Sequence, residues 1–181
     1  MNKIIRHKIN EYFIYFILYS NIGWLYEVFL ETVIYRWGFS NRGTLTGPVC
    51  VIYGFGALLI TFLFDKFKNR KIKFKGIKIT PILVFLASAA TATVVELAGS
   101  YIMEFTKGSW DWNYERFAFN FQGRIALNPS IRFGIGAIVF LYIIHPLFKK
   151  LIKKIGKKHT RILSVVLFAI LAADIVFTFL I

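Results

Sequence analysis

Glu27, Glu96, Asp174 and Arg132 stand inside stretches of the chain that are otherwise apolar. An ionisable group in hydrocarbon is costly, so it ordinarily faces a partner, a proton pathway or a water-filled cavity. Glu27 lies about 16 residues into its segment, roughly 24 Å of helical rise, and Asp174 about 12 residues into its own, roughly 18 Å. Glu96 lies at a depth similar to Glu27, and Arg132 enters just below the end of its segment. Three acids at one depth with arginines nearby have the chemistry to hold a small polar or cationic solute, or to carry a proton. They have equally the chemistry to pair with Arg42, Arg124 or Arg132 and fix helix register, through contacts worth about 0.6 kcal/mol each in a membrane. The clustering favours the ligand site, with Glu27 and Glu96 as ligand or proton carriers and Arg124 and Arg132 as counter-charges. Glu31 and Glu104 lie nearer the outer surface, where solvation is expected.

The spacing around these residues is helical. Ser20, Trp24, Glu27 and Glu31 recur at intervals of four, three and four, which puts them on one side of a helix. Gly47, Cys50, Gly54 and Ala57 form a small-residue stripe that permits close helix approach, as do Ser88, Ala92, Glu96 and Gly99. Asp174 and Thr178 are an i, i+4 pair. Turned inward, these stripes predict a polar pocket open to the outside. Residues 41–48 form a Gly-bearing turn leading into a helix, whose free N–H groups would favour an anion or carboxylate. All four tryptophans fall on the same predicted outer side, where an aromatic belt is the plain reading and cation–π capture of a ligand the sharper one.

The elements that must position these groups follow from composition. The chain has 181 residues, 57% hydrophobic and 18% charged, with 20 Phe and a formal charge of +14. A soluble domain averages roughly 25% charged residues. This content excludes a disordered chain, and one Cys with three His leaves no ligands for a zinc ribbon and no disulfide scaffold. Apolar stretches at 11–35, 48–65, 80–105, 129–148 and 162–181 predict an all-α, polytopic bundle of about five transmembrane helices in a single membrane domain, 1–181. Pro48, Pro81 and Pro129 mark helix starts, Pro146 stands near an end, and Asn128 is a candidate N-cap.

Of the 23 basic residues, seventeen lie in three segments: before the first helix, at 66–78 and at 149–161. The alternate loops hold only Arg36 and Arg42, then Lys107, Arg116 and Arg124. Positive residues mark the cytoplasmic side, which predicts a cytoplasmic N-terminus and an external C-terminus. The surplus charge then serves orientation and anionic lipid, and a nucleic-acid partner is not expected. The external segment 105–128, rich in Trp, Tyr and Phe, is predicted to lie in the interface or fold back over the bundle.

Three groups of residues carry a family resemblance. One is Gly23-Trp24-Leu25-Tyr26-Glu27. The next is Asn41-Arg42-Gly43 with Gly47-Pro48-Val49-Cys50 and Ile52-Tyr53-Gly54-Phe55-Gly56. The last is Trp110-Asp111, Phe119-Asn120 and Gln122-Gly123-Arg124-Ile125. Over residues 12–150 the chain resembles the bacterial family of putative ABC-transporter type IV permeases, small multispanning proteins. The chain departs from that pattern at Val51, where a second proline is usual, and at Ile131-Arg132, where an aromatic pair is usual. The resemblance implies the bacterial cell membrane and a transport role.

The expected ligand-binding or proton-coupling set is therefore Glu27, Glu96, Asp174, Arg42, Arg124, Arg132, Trp24, Trp110, Asp111 and Tyr53. No nucleophile is identifiable: His145 belongs to the cytoplasmic end of a helix, His7 and His159 to basic segments, and Cys50 to a packing stripe. No catalytic residue, metal or cofactor is expected. There is no Gly-x-x-x-x-Gly-Lys-Ser/Thr loop, so an ATP-driven scheme needs a separate ATPase subunit. The leading expectation is a permease or substrate-binding membrane subunit. Paired carboxylates as general acid and base would instead make a membrane enzyme acting on a lipid or wall precursor. A structural or regulatory membrane subunit is the third reading. Expected partners are the bilayer, anionic lipid at the basic loops, an ATPase and a second copy of the chain.

Overall fold

The computed structural model describes residues 3–110 and 112–180. The fold is all-α: helices α1 (Lys3–Phe29), α2 (Val51–Phe64), α3 (Thr80–Lys107), α4 (Leu127–Val139) and α5 (His145–Leu180), with two minimal antiparallel hairpins. These are β1 (Lys73–Phe74) with β2 (Ile77–Lys78), and β3 (Asn120–Phe121) with β4 (Ile125–Ala126). Three helical stretches, Ile4–Ile34, Thr80–Thr106 and Leu127–Leu180, are long and apolar enough to cross a membrane. The fourteen residues of α2 rise only about 21 Å, short of a 30 Å hydrocarbon core.

Two compact units emerge. One comprises residues up to Leu59 and from Pro146 onward, the other Ile60–His145. In both, polarity is inverted relative to a water-soluble protein. Ser20, Thr80, Ser88, Ser100 and Thr160 are fully buried, whereas Phe62 is 80% and Phe105 92% exposed. In water that surface would aggregate. In hydrocarbon it is the stable arrangement, because hydroxyls and small residues pack inside while large apolar side chains meet lipid.

The helix ends correct several sequence expectations. Pro48 does not open α2, which starts three residues later at Val51. The intervening backbone is already committed: Asn21 Nδ2 donates to the Pro48 carbonyl at 2.5 Å, and Cys50 N–H to the Ser20 carbonyl at 3.1 Å. Asn128 is not an N-cap but lies within the first turn of α4, which Ala126 precedes in extended conformation. Here β4 runs straight into the helix, and Leu127 N–H is satisfied by the Phe119 carbonyl of the hairpin at 2.9 Å. Pro81, in the first turn of α3, and Pro129, in the first turn of α4, do occupy the place expected of helix-starting prolines.

Pro146 does not end a helix either. A π-turn, Phe140–Ile144, links α4 to α5, and α5 passes through Pro146 and the basic run to a break at Gly156 (φ 78°, ψ 161°). In this turn His145 N–H reaches back five residues to the Phe140 carbonyl. The Leu141 carbonyl thereby loses its α-helical donor, His145, and its π-helical donor would be residue 146, a proline with no N–H. Lys68 fills the gap by donating from its ammonium to that carbonyl. The basic stretch 149–161, expected as a loop, is thus helical on both sides of Gly156.

Candidate functional site

In the first unit, the predicted polar face of α1 meets one segment of chain, residues 40–53. Trp24 Nε1 donates to Asn41 Oδ1 at 2.7 Å. The Tyr53 hydroxyl donates to Glu27 Oε1. Glu31 is paired with Arg42 through Oε1 and accepts from Ser40 Oγ through Oε2 at 2.5 Å. Asn41 in turn donates to the Leu45 and Thr46 carbonyls. Two glycines permit this fit. A side chain at Gly23 would run into the Tyr53 ring, and Gly43, at φ 99°, would press a Cβ to 2.9 Å from the Val49 carbonyl. The contacts form a latch that ties α1 to the approach to α2.

Glu31 is therefore not a solvated surface acid, as its position in the sequence implied. It is the buried partner of Arg42, 5% exposed. The π-turn at Leu30–Ile34 widens the end of α1 just where Glu31 turns inward.

Asp174 closes the latch from α5. Its two oxygens accept the Gly47 N–H at 3.0 and 3.1 Å, and Thr178 one turn on accepts the Thr46 N–H at 3.1 Å. The turn does bind a carboxylate, as its free amides implied, and the carboxylate is the chain's own. A cleft of about 480 Å³ runs beside it, walled by Ile17, Val49, Leu167, Ile170 and Leu171 with Asn21, Thr46 and Asp174 as its polar members. Glu27 does not line this cleft.

In the second unit, α3 presents Glu96, Ser100 and Glu104 at i, i+4 and i+8, one face of the helix. The 112–126 segment folds back onto that face. Arg124, 5% exposed, donates to Glu104 at 2.5 Å and to Ser100 at 3.3 Å. Its guanidinium lies 3.9 Å from the Trp110 ring centre and 4.2 Å from that of Tyr101. Such desolvated cation–π contacts are worth up to about 2 kcal/mol. Trp112 Nε1 holds the Arg124 carbonyl at 2.7 Å, and residues Gln122 and Gly123, both at positive φ, make the turn that delivers it. Glu104, like Glu31, is an ion-pair partner rather than a free surface acid, though it stays half exposed.

Glu96 differs from the other acids. One oxygen accepts the Tyr114 hydroxyl at 2.7 Å. The other, Oε2, is buried and has no hydrogen-bond partner among the described residues, as do Trp110 Nε1 and Arg124 Nε. A buried carboxylate oxygen left unpaired is expensive, so it marks a place for a proton or a donor-bearing ligand.

The predicted residues thus separate. Glu27, Tyr53, Trp24, Arg42 and Asp174 meet within the first unit, and Glu96, Trp110 and Arg124 belong to the second. Arg132 is an exposed residue of α4. Asp111 lies outside the described residues. The sequence reading missed Tyr114, Ser100 and Tyr101, since nothing in the order of residues pairs α3 with a loop that turns back at Gln122. It also missed a second buried cluster. Lys68 bridges Asp65 at 2.7 Å and the Leu141 carbonyl, and His145 Nε2 lies 3.6 Å from Asp65. Among the described residues, no three His, Cys, Asp or Glu side chains are arranged to hold a metal ion.

The sequence model of a family described as putative ABC-transporter type IV matches residues 14–179, reaching well into α5. No curated protein and no solved structure matches the chain.

Proposed function

We propose that this chain, which belongs to the putative ABC-transporter type IV family, works as a permease or substrate-binding membrane subunit whose ligand or proton site is centred on Glu96. The family and the apolar helices make it a membrane, transport-related protein. The finer reading rests on one observation: in a helix long enough to cross a membrane, Glu96 Oε2 is buried without a partner while Oε1 is held by neutral Tyr114. Among the other acids named above, Glu27 also accepts from a tyrosine hydroxyl, that of Tyr53, but it leaves no buried oxygen unpartnered among the described residues. Glu31 and Glu104 are neutralised by arginines, and Asp174 binds the Gly47 amide. An acid without a counter-charge is the one free to take up a proton or a small cationic group.

In this reading Arg42, Arg124 and Asp174 hold the scaffold, and Glu27 with Tyr53 is a second, weaker candidate. The positive-inside bias supports a cytoplasmic N-terminus in a bacterial cell membrane, with the Gly156 break separating two crossings within α5 and the helix before it. Energy would come from a proton gradient or from a separate ATPase. The test uses purified full-length protein in liposomes, with an entrapped pH dye and a panel of alkali, ammonium and methylammonium ions. Wild-type protein should move protons or be thermally stabilised by a member of the panel, and Glu96→Gln should lose that response while keeping its fold. Equal responses from wild type and Glu96→Gln would remove Glu96 from the site. Copurification from mild detergent decides between the ATPase and the gradient.

A further inference from the structure

The β1–β2 hairpin is short and two-faced. Lys73 stands directly opposite Lys78, and Phe74 opposite Ile77. Residues opposite each other, and those two apart, share a face. One face therefore carries Lys71, Lys73 and Lys78, and the other Ile72, Phe74, Ile77 and Ile79. The two central residues of the loop, Lys75 (φ 48°) and Gly76 (φ 83°), have the positive φ of a type I′ turn, a conformation unfavourable for lysine. At the base, Ile79 N–H bonds the Ile72 carbonyl at 3.0 Å, and buried Thr80 links the Ile72 amide and the Arg70 carbonyl. At the tip Phe74 is 62% and Ile77 69% exposed.

In water this arrangement works against itself. Like charges directly opposite on a ladder destabilise it, a two-stranded hairpin is marginal on its own, and its apolar face stands in solvent. No acid occurs between Lys66 and Ile79 to offset Lys73 and Lys78. Both liabilities are removed by one surface that is anionic at its headgroups and apolar just beneath. Ile79 joins the hairpin directly to α3, so a bilayer crossed by α3 lies beside it. We propose that the β1–β2 hairpin docks on an anionic lipid leaflet, with Phe74 and Ile77 at the acyl boundary and Lys71, Lys73 and Lys78 at lipid phosphates. This rests on α3 being a membrane-crossing helix, and it assigns to a defined face what composition alone would spread over a whole basic loop.

Full-length protein, with Cys50→Ala and a nitroxide on Ile77→Cys, is placed in nanodiscs of phosphatidylcholine alone or mixed with phosphatidylglycerol. Access of oxygen and of a water-soluble nickel chelate reports depth. The label is expected to be shielded from nickel in the mixed discs and open to it in phosphatidylcholine. At roughly fivefold in partitioning for each lysine, Lys73→Gln with Lys78→Gln should shift the balance toward water by roughly 20- to 30-fold. Phe74→Ser should shift it in the same direction. A nitroxide on Val94→Cys, on the exposed side of α3, reports separately whether that helix lies in lipid. If Val94 is lipid-facing while Ile77 stays water-exposed in both discs, the hairpin proposal fails, the transport reading stands and the face is left for a protein partner. If Ile77 is equally shielded with or without phosphatidylglycerol, the lysines have no lipid role and the proposal also fails. Both leaflets carry the same lipid, so the outcome does not depend on which side of the membrane the hairpin faces.

Discussion

Glu31 and Glu96 are carboxylates set in apolar helices of different units, and their surroundings separate what acids in such helices do. Glu31 is matched: Arg42 neutralises one oxygen and Ser40 donates to the other. Glu96 is matched on one side only, by a phenol that carries no charge. The latch around Glu31 also gathers Trp24, Asn41, Glu27 and Tyr53, so its polar groups are consumed in holding α1 to the approach to α2. Ser20 Oγ and Arg42 Nε remain unpaired there among the described residues. A hydroxyl and one N–H of a delocalised cation are lesser liabilities than a carboxylate oxygen. An acid embedded in a membrane helix is therefore not a site by virtue of its depth. It becomes one when its charge is left uncompensated.

The largest effect should come from breaking the match. Arg42→Met leaves Glu31 buried with its charge unopposed, a loss of about 3–5 kcal/mol. Unfolding of the purified protein in micelles should read it, and Arg42→Met with Glu31→Gln should recover most of the loss. If the single variant is as stable as wild type, the ion pair does not hold the latch and the contrast with Glu96 collapses. A smaller loss, about 1–3 kcal/mol, is expected for Gly23→Ala, whose methyl would meet the Tyr53 ring and force α1 and α2 apart. It should also perturb Tyr53 absorbance, because the ring cannot stay where it donates to Glu27. Smaller again is Trp24→Phe, which keeps the ring in place and removes one hydrogen bond to Asn41. Such bonds average about 0.6 kcal/mol in membranes, so a loss well above 1 kcal/mol would mean that the indole does more than latch the loop.

The face of α1 was legible because 3.6-residue periodicity does not depend on what the helix meets: Ser20, Trp24, Glu27 and Glu31 share a side in any helix. Their partners were not, because Ser40 to Tyr53 arrive through a loop that reverses at Arg36, Gly38 and Gly43, all at positive φ. The same is true of Glu96. Its register with Ser88, Ala92 and Gly99 was readable, but Tyr114 is delivered by a hairpin of two-residue strands, too short to leave an alternating pattern. Pro146 misled in a more instructive way. A proline in a helix ordinarily argues for an end, yet a π-turn moves the donor ladder by one residue, and Lys68 satisfies the carbonyl left over. Local rules state the cost of that proline correctly and are silent on a lysine 78 positions earlier that meets it.

A small expected change in stability is also the one that bears most on function. Glu96→Gln keeps the shape of the side chain and the oxygen that accepts from Tyr114, and exchanges the unpaired oxygen for an amide. The amide is equally unpaired but carries no charge, so stability should move by no more than about 1 kcal/mol. Glu31→Gln breaks an ion pair and should be the more damaging of the two, although Arg42 is 40% exposed and water will soften the loss. The order of the two isosteric variants therefore tests the comparison without reference to any ligand. If Glu96→Gln destabilises as much as Glu31→Gln, then Glu96 is held by its surroundings as firmly as a latch residue, and its free oxygen is no vacancy for a solute. If Glu96→Gln is neutral for folding but abolishes the response to protons or small cations, a structural role is ruled out, because a structural residue cannot lose its charge at no cost to the fold and still take the activity with it.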